Sequence, residues 1–364
     1  MINFSVELSD RPCPAGDRER VLADPGFGRA FTDHMITIRW SPDRSWHEAA
    51  LVPYGPLSLD PATQVLHYAQ EIFEGTKAYL HADGSVVAFR PRANAARFNR
   101  SARRMALPEL PEETFVHSLE LLVTADKDWV PTGPGYSLYL RPFMIGTQRT
   151  LMADKPPTAA RYLVIASPAA PYFKGGVTPV TVWVSERFTR AAPGGTGDAK
   201  CGGNYAAALA GQLEAIAAGC DQAVWLDAAE HKWIEEMGGM NLFFVYGSGT
   251  RTHLVTPPLT GTLLPGITRD SLLTLAPDLG IPAEEGMLSV ARWRADAESG
   301  ALTEVFACGT AAVITPVGTA RTATAEWTIG SGAPGPVTLN LREALLGIQY
   351  GTAPDRYGWI HKIL

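Results

Sequence analysis

The sequence predicts a two-domain protein of mixed α/β (α+β) class. Three observations carry that expectation. Strand-like and helix-like patterns alternate in both halves of the chain. Its 364 residues, 46% of them hydrophobic, exceed what one core organises, since single cores stop growing beyond about 250–300 residues. A stretch rich in proline and glycine, Pro168 to Gly176, interrupts the pattern near the middle. We therefore expect a smaller N-terminal domain over 1–170, a connection over 171–182, and a larger C-terminal domain over 183–364.

The elements follow in chain order. Residues 1–30 read as irregular, because Pro12, Pro14 and Pro25 break any run. The alternation and β-branching of Phe31 to Trp40 read as a strand. Pro53 to Pro61 is rich in turn residues, and Leu66 to Gly75 is a short apolar and aromatic element. Thr76 to Leu80 and Ser85 to Arg90 flank Asp83-Gly84, a hairpin signal. Pro91 opens a helix, as proline can in a first turn. Phe115, Leu119, Leu122 and Val123 lie at helical spacing within Glu112 to Trp129. Tyr136 to Ile145 reads as a strand whose Pro142 suggests an edge or a bulge. Strands follow at Tyr162 to Ala166 and Val180 to Val184.

The helix expected over Tyr205 to Ala218 puts Leu209, Leu213 and Ile216 on one face, and Gly219 stops it. Strands are expected at Ala223 to Leu226, Trp233 to Glu236, Asn241 to Tyr246, Val305 to Thr310 and Ala312 to Val317. Helices are expected at Thr268 to Leu275 and Thr338 to Gln349.

Composition removes several classes of function. A net charge of -6 gives no footing for general binding to nucleic acid or to a membrane surface. No run approaches the ~18 apolar residues of a membrane span. The four cysteines form no CxxC, and the eight histidines form no HExxH, so no metal site is expected. Unclustered cysteines and the lack of a charged-then-apolar start read as a reduced, cytoplasmic protein.

The chemistry centres on Lys200, between Gly194-Gly195-Thr196-Gly197 and Gly202-Gly203. Glycines let backbone approach closely, and an amine held that way is a candidate Schiff-base nucleophile. The strongest use of that chemistry is pyridoxal phosphate, which demands an anion cradle, a partner for its ring nitrogen and a donor at its ring oxygen. Gly266, Ile267 and Thr268 open a helix whose N–H groups favour an anion. Thr310, in Cys308-Gly309-Thr310, offers a hydroxyl, and Arg97 can fork onto phosphate oxygens. Each has an ordinary alternative: a plain helix start, a strand turn, a surface arginine. Glu236 suits the ring nitrogen, whereas for Glu235 an exposed strand end is the simpler reading. Tyr205 suits the ring oxygen.

A series of motifs then resembles one family. Phe31-Thr32-Asp33-His34-Met35, Phe73-Glu74-Gly75-Thr76-Lys77-Ala78, Arg100-Ser101-Ala102-Arg103-Arg104 and Asp126-Lys127-Asp128-Trp129-Val130-Pro131 occur in order, followed by Gly202-Gly203-Asn204-Tyr205, Leu264-Pro265-Gly266-Ile267-Thr268-Arg269 and Ile348-Gln349-Tyr350-Gly351. From about Phe27 almost to its end the chain resembles the branched-chain amino acid aminotransferases, fold-type IV pyridoxal phosphate enzymes.

The resemblance implies a homodimer with a small N-terminal α/β domain and a larger C-terminal pseudo-barrel domain, the cofactor lying between them. It implies reversible transfer of the amino group of L-leucine, L-isoleucine or L-valine to 2-oxoglutarate through a Schiff base on Lys200. It puts the phosphate on Arg97, Gly266, Ile267, Thr268 and Thr310, the ring nitrogen on Glu236 and the ring oxygen on Tyr205. Phe27, Tyr68, Phe73, Tyr139, Arg141 and Tyr172 become substrate-pocket residues. Tyr68, Gly239, Thr310 and Ala311 fall near the α-carboxylate, and Tyr139 and Arg141 receive the side-chain carboxylate of glutamate, delivered by a neighbouring subunit's loop. Animal members carry threonine where this chain has Gly239, and a redox CxxC where it has Ala312-Val313-Ile314-Thr315, so no thiol switch of that kind is expected.

Within the same fold, transamination of D-amino acids or an aminodeoxychorismate lyase remains open. A nucleotide-binding regulatory protein lacks its signal, since neither a strand-GxGxxG-helix unit nor GxxxxGK[ST] occurs. A cofactor-free Schiff-base aldolase would not need Arg97 or Glu236.

Overall fold

The structure, a computed structural model, describes residues 2–172 and 176–364. Phe173, Lys174 and Gly175, part of the expected connection over 171–182, lie outside the described residues. The chain forms two compact units. The first takes the described residues up to Tyr172, then Ala199–Gly202 and Ile348–Leu364. The second takes the described residues of 173–198 and then Gly203–Gly347. The division is thus not a single cut, because the four residues around Lys200 and the C-terminal stretch pack with the first unit.

In the first unit, strand β1 (Ser5–Val6) and helix α1 (Ala15–Ala23) precede β2 (His34–Ser41) and β3 (Ser45–Pro53). Then come α2 (Gln64–Tyr68), β4 (Glu71–Phe73), β5 (Thr76–Leu80), β6 (Val86–Phe89), α3 (Pro91–Arg104), α4 (Glu112–Ala125), β7 (Ser137–Gly146) and β8 (Ala160–Ala169). The sheet runs β1-β3-β2-β8-β7-β5-β6 and ends on the C-terminal strand Ile360–Lys362, with β4 beside β7. Beyond the parallel β1–β3 pair, its ladders are antiparallel. Ile36, Ile38 and Leu51 from the strands meet Phe98, Phe115, Leu119 and Leu122 from α3 and α4 in one core.

Two expectations are corrected here. Residues 1–30 are not wholly irregular: Pro14 caps α1 instead of breaking it, since proline lacks only the N–H that a helix start leaves unpaired. Nor is β7 an edge. Pro142 sits in a central strand, where the neighbour of β7 changes from β5 to β4. Its missing N–H falls in that gap, and its carbonyl accepts from Glu74 N–H at 2.7 Å.

The second unit carries β9 (Val180–Ser185), α5 (Gly202–Ala217), β10 (Gln222–Leu226), β11 (Ile234–Met237), β12 (Met240–Tyr246), β13 (His253–Thr256), α6 (Ile267–Asp278) and β14 (Ala283–Glu285). It continues with α7 (Val290–Glu298), β15 (Leu302–Gly309), β16 (Val313–Arg321), β17 (Glu326–Thr328) and α8 (Pro336–Gln349). Strands β11-β10-β9-β16-β15-β12 pair in sequence, and β12 pairs back onto β11, closing a six-stranded ring. β13 and β14 extend from β12, and β17 from β16. This closed ring is the pseudo-barrel that the resemblance implies. Val182, Val184, Val224, Leu242 and Phe244 pack against Trp293 of α7 and Trp327 of β17.

Helix α5 turns the opposite way from its periodicity. Leu209, Leu213 and Ile216 are 62%, 67% and 59% exposed. The buried positions are Asn204, Gly211 and Ala215. A Cβ on Gly211 would lie 2.6 Å from the Trp225 ring, so only the small-residue face lets the helix reach β10.

Candidate active site

The first unit supplies the amine. Ala199 and Cys201 are buried in its core, while the intervening Lys200 is only partly buried. Its backbone is held on both sides: the N–H donates to Ser101 Oγ at 2.9 Å, and the carbonyl accepts from Phe73 N–H at 2.9 Å. Gly202 N–H then donates to Glu71 Oε1. Lys200 Nζ stands 4.9 Å from the centre of the Phe73 ring.

The same ring carries Arg141, whose Cζ lies 4.9 Å above it. Arg141 Nη2 donates to the Tyr139 hydroxyl at 3.2 Å, and Tyr139 meets Phe27 edge-on at 4.9 Å. Phe27, Tyr139, Arg141, Phe73 and Lys200 therefore form one continuous chain of contacts. Arg141 Nε is buried and has no hydrogen-bond partner. Gly75 is required here, because a Cβ would fall 1.9 Å from the Tyr139 oxygen. Tyr68 is not drawn into this group: its hydroxyl donates to Leu151 O at 2.6 Å. Tyr172 is 50% exposed.

Arg97 is not a surface arginine; it is 3% exposed. Its Nε and Nη2 grip the two oxygens of Glu74 at 2.7 and 2.8 Å, and Asn94 Nδ2 donates to Glu74 Oε2 at 2.7 Å. Burial pushes the Glu74 carboxyl up. The Arg97 charge and hydrogen bond, with the Lys200 charge and the Asn94 amide, outweigh burial and hold it below its ordinary value. Sequence reasoning did not assign Glu74, although it lies inside the quoted Phe73-Glu74-Gly75 motif. Its signal was an acid between an aromatic residue and a glycine, with no indication of its cation.

The second unit holds a buried acid beside the N-terminus of α6. Glu236 is 2% exposed at the end of β11. Arg190 Nη2 lies 3.1 Å from its Oε2, and Oε1 accepts from Leu264 N–H at 2.7 Å and Asn241 Nδ2 at 3.3 Å. Arg190, itself 8% exposed, also donates to Thr262 O at 2.5 Å and Gly197 O at 3.3 Å. It was not foreseen, since nothing in its local sequence points to Glu236. Adjacent Glu235 corrects an expectation: it is 6% exposed, not a solvated strand end. Thr262 Oγ1 donates to it, and burial raises its carboxyl above the ordinary value.

Around Glu236 the ladders set the neighbours. Glu236 pairs with Asn241, and Asn241 with Cys308. Thr310 and Ala311 lie in the turn that follows, between β15 and β16. Asn241 also borders Gly266, the residue capping α6, where a Cβ would fall 2.0 Å from Asn241 Oδ1. The N-terminus of α6 at Ile267 and Thr268, with its unpaired N–H groups, is thereby held beside the Glu236 cluster. The hairpin turn Gly238-Gly239 joins β11 to β12, and a Cβ on Gly239 would come 3.3 Å from the Tyr205 ring. Tyr205, Gly239, Glu236, Gly266, Ile267, Thr268, Thr310 and Ala311 thus gather around one end of the ring. Among the described residues no cluster suited to a metal ion occurs.

Comparison with known proteins gives concordant results. The family model for amino-transferase class IV matches residues 71–319. A probable branched-chain-amino-acid aminotransferase of Streptomyces coelicolor is 59% identical over 366 residues, covering all of both chains. The branched-chain-amino-acid aminotransferase of Mycolicibacterium smegmatis is 56% identical over 363 residues, covering 100% of this chain and 98% of its own. Among solved structures, the branched-chain amino acid aminotransferase of Escherichia coli is similar at a TM-score of 0.72 and 28% identity, over 91% of this chain and 99% of that one. Another branched-chain amino acid aminotransferase, solved with pyridoxamine 5'-phosphate, is similar at a TM-score of 0.75 and 28% identity, over 90% of this chain and 98% of that one.

Proposed function

The chain belongs to the class IV aminotransferases, and on that premise we propose that it moves amino groups reversibly between L-leucine, L-isoleucine or L-valine and 2-oxoglutarate, through pyridoxal 5'-phosphate held as a Schiff base on Lys200. One observation carries this reading: the chain of contacts Phe27–Tyr139–Arg141–Phe73–Lys200, with a buried, unpartnered N–H on Arg141. Such a wall accepts both kinds of substrate. Aromatic faces cover an aliphatic side chain, and a guanidinium at their edge meets the carboxylate of glutamate, which burial would otherwise penalise.

The residues fit the cofactor. A phosphate suits the N-terminus of α6 at Gly266, Ile267 and Thr268, together with the Thr310 hydroxyl. Arg97 holds Glu74 with one edge of its guanidinium, and the planar fork of an arginine matches phosphate geometry. Glu236 is a buried acid with its counter-charge provided by Arg190, and it presents a negative group to a protonated ring nitrogen. When bound, pyridoxal phosphate supplies the electron sink that makes a substrate Cα–H acidic.

The chain's own groups do the rest. Lys200 would hold the cofactor through its side-chain amine, and that amine, once free and neutral, would serve as the base and then the acid for the substrate's Cα proton. Its backbone bonds to Ser101 and Phe73 fix the main chain from which that amine would act. Tyr205 would donate to the ring oxygen of the bound cofactor, and Gly239 leaves room beside the Tyr205 ring. Thr310 and the Ala311 N–H would receive the α-carboxylate, joined by Tyr68 when its hydroxyl exchanges Leu151 O for the substrate, and Tyr172 would border the substrate side.

The enzyme works as a homodimer in the cytoplasm. The exposed apolar face of α5, Leu209, Leu213 and Ile216, supports self-association. Free cysteines, three of them buried, support a reducing compartment. The test is turnover with 2-oxoglutarate as acceptor. L-leucine, L-isoleucine and L-valine should each yield their 2-oxo acid and glutamate, and D-alanine should yield nothing. Turnover of D-alanine without that of L-leucine would overturn the assignment.

A further inference from the structure

We propose that the first unit carries a second ligand site, for a small dianion, in the cavity formed where β3, β2 and β8 meet the segment around Asp60. The cavity measures about 310 Å³ and is lined by Arg39, His47, Arg149 and Arg161, with Asp60 as the one carboxylate in its wall. Hydroxyls of Thr63 and its neighbours complete the lining. None of these residues is assigned to cofactor or amino-acid substrate.

The ladder registers make the arrangement unusual. Arg39 of β2 stands directly opposite His47 of β3 on one side and directly opposite Arg161 of β8 on the other. Directly opposed residues share a face, and like charges in that relation destabilise a sheet. Burial, and after it the Arg39 charge, press on the Arg161 cation. The nearby acids relieve this poorly. Glu48 lies 3.3 Å from Arg39 but is shared with Arg44 at 3.0 Å and His47 at 3.9 Å, and Asp60 lies 3.5 Å from Arg149. Those carboxylates are 48% and 40% exposed, in the range where surface pairs contribute little. Arg161 has no carboxylate within 4.0 Å among the described residues; its Nε donates to Thr37 Oγ1 at 2.7 Å.

Three arginines therefore line one cavity of a chain whose net charge is -6, Arg161 the most buried of them and Arg39 and Arg149 reaching it from the solvent side at 62% and 75% exposure. A dianion bridging Arg39 and Arg161 offsets their repulsion, and the planar fork of each matches a carboxylate or a phosphate. The volume suits a small molecule, at the lower end of the ~300–1,000 Å³ of ligand pockets. The shared chemistry is that of a short dicarboxylate or a phosphomonoester. This inference does not depend on the transamination reading.

The experiment is calorimetric titration of the cofactor-loaded enzyme with inorganic phosphate and, separately, with succinate, both at matched ionic strength in NaCl. Saturable binding of either probe is expected; phosphate alone identifies the phosphoryl source and succinate alone the dicarboxylate. Arg161→Gln and Arg39→Gln should each weaken it by about tenfold or more, the loss of one charge-assisted hydrogen-bonded pair. Arg141→Gln should leave it unchanged, which separates this site from the amino-acid pocket. Without ligand, Arg161→Gln should melt at the same temperature or higher, since it removes repulsion; a structural arginine would instead lower it. Heats no larger than those of NaCl, binding by both variants as tight as by the parent protein, or binding lost only in Arg141→Gln would overturn the proposal.

Discussion

Arg97 and Glu236, the two residues proposed for the phosphate and the ring nitrogen, each carry a counter-charge that local sequence does not announce. Glu74 grips Arg97, and Arg190 faces Glu236, all four groups within 8% exposure. A buried ion pair contributes little net stability, but removing one partner leaves an uncompensated charge. Glu74→Gln should therefore cost about 3–5 kcal/mol in urea unfolding, the range for a broken buried pair. Glu236→Gln should keep the cofactor bound and slow Cα proton transfer, read in single turnovers as a slower phase that a Cα-deuterated substrate slows further. Arg141→Gln should raise KM for 2-oxoglutarate by about tenfold or more and that for L-leucine far less, since only the dicarboxylate loses a charge-assisted bond. Lys200, Glu236 and Arg97 were singled out because glycine-flanked and motif-embedded positions mark themselves. Glu74 and Arg190 were not, because a cation and an acid that meet across separate elements leave no local pattern. Glu235 misled for the same reason: its burial comes from Thr262, supplied by a distant loop.

Helix α5 shows what periodicity can and cannot tell at the scale of an element. Its helical spacing was plain, yet its apolar stripe faces outward and its small residues face the sheet. Large apolar residues are assigned to the core by default, whereas here backbone approach to Trp225 decided the face. Gly211→Leu should then destabilise the protein by about 1–3 kcal/mol or more through overpacking, measured as a lower unfolding midpoint. The ends of elements were read within a few residues where proline or glycine marks them: α3 begins at Pro91, and Gly84 turns the β5–β6 hairpin with φ +83°. β3 and β13 went unread for weak alternation and α7 for its polar face, although Ser289 caps it by accepting from Arg292 N–H; Pro142 misplaced β7 because its gap in the ladder is created by two other strands.

For the whole molecule, class and chemistry were legible, and closure came only through the family resemblance, not from local pattern. Mixed α/β character follows from composition and pattern, and the motif series carried the family. The pairing of β12 back onto β11, which closes the ring, and the return of Ala199–Gly202 and Ile348–Leu364 to the first unit are long-range events that no window of sequence reports. The buried Glu74 pair also shapes stability against pH. Its folded carboxyl binds a proton less readily than the ordinary value of 4.5. Its contribution is therefore complete above pH 4.5 and is lost as pH falls through the lower folded value. Urea midpoints of the parent protein should fall more steeply below that pH than those of Glu74→Gln. The account as a whole rests on the amine of Lys200, and borohydride reduction of the coloured holoenzyme followed by peptide mass mapping tests it most directly. The phosphopyridoxyl mass should appear on the peptide containing Lys200 and vanish in Lys200→Ala; its appearance on another lysine, or on none, would contradict the account.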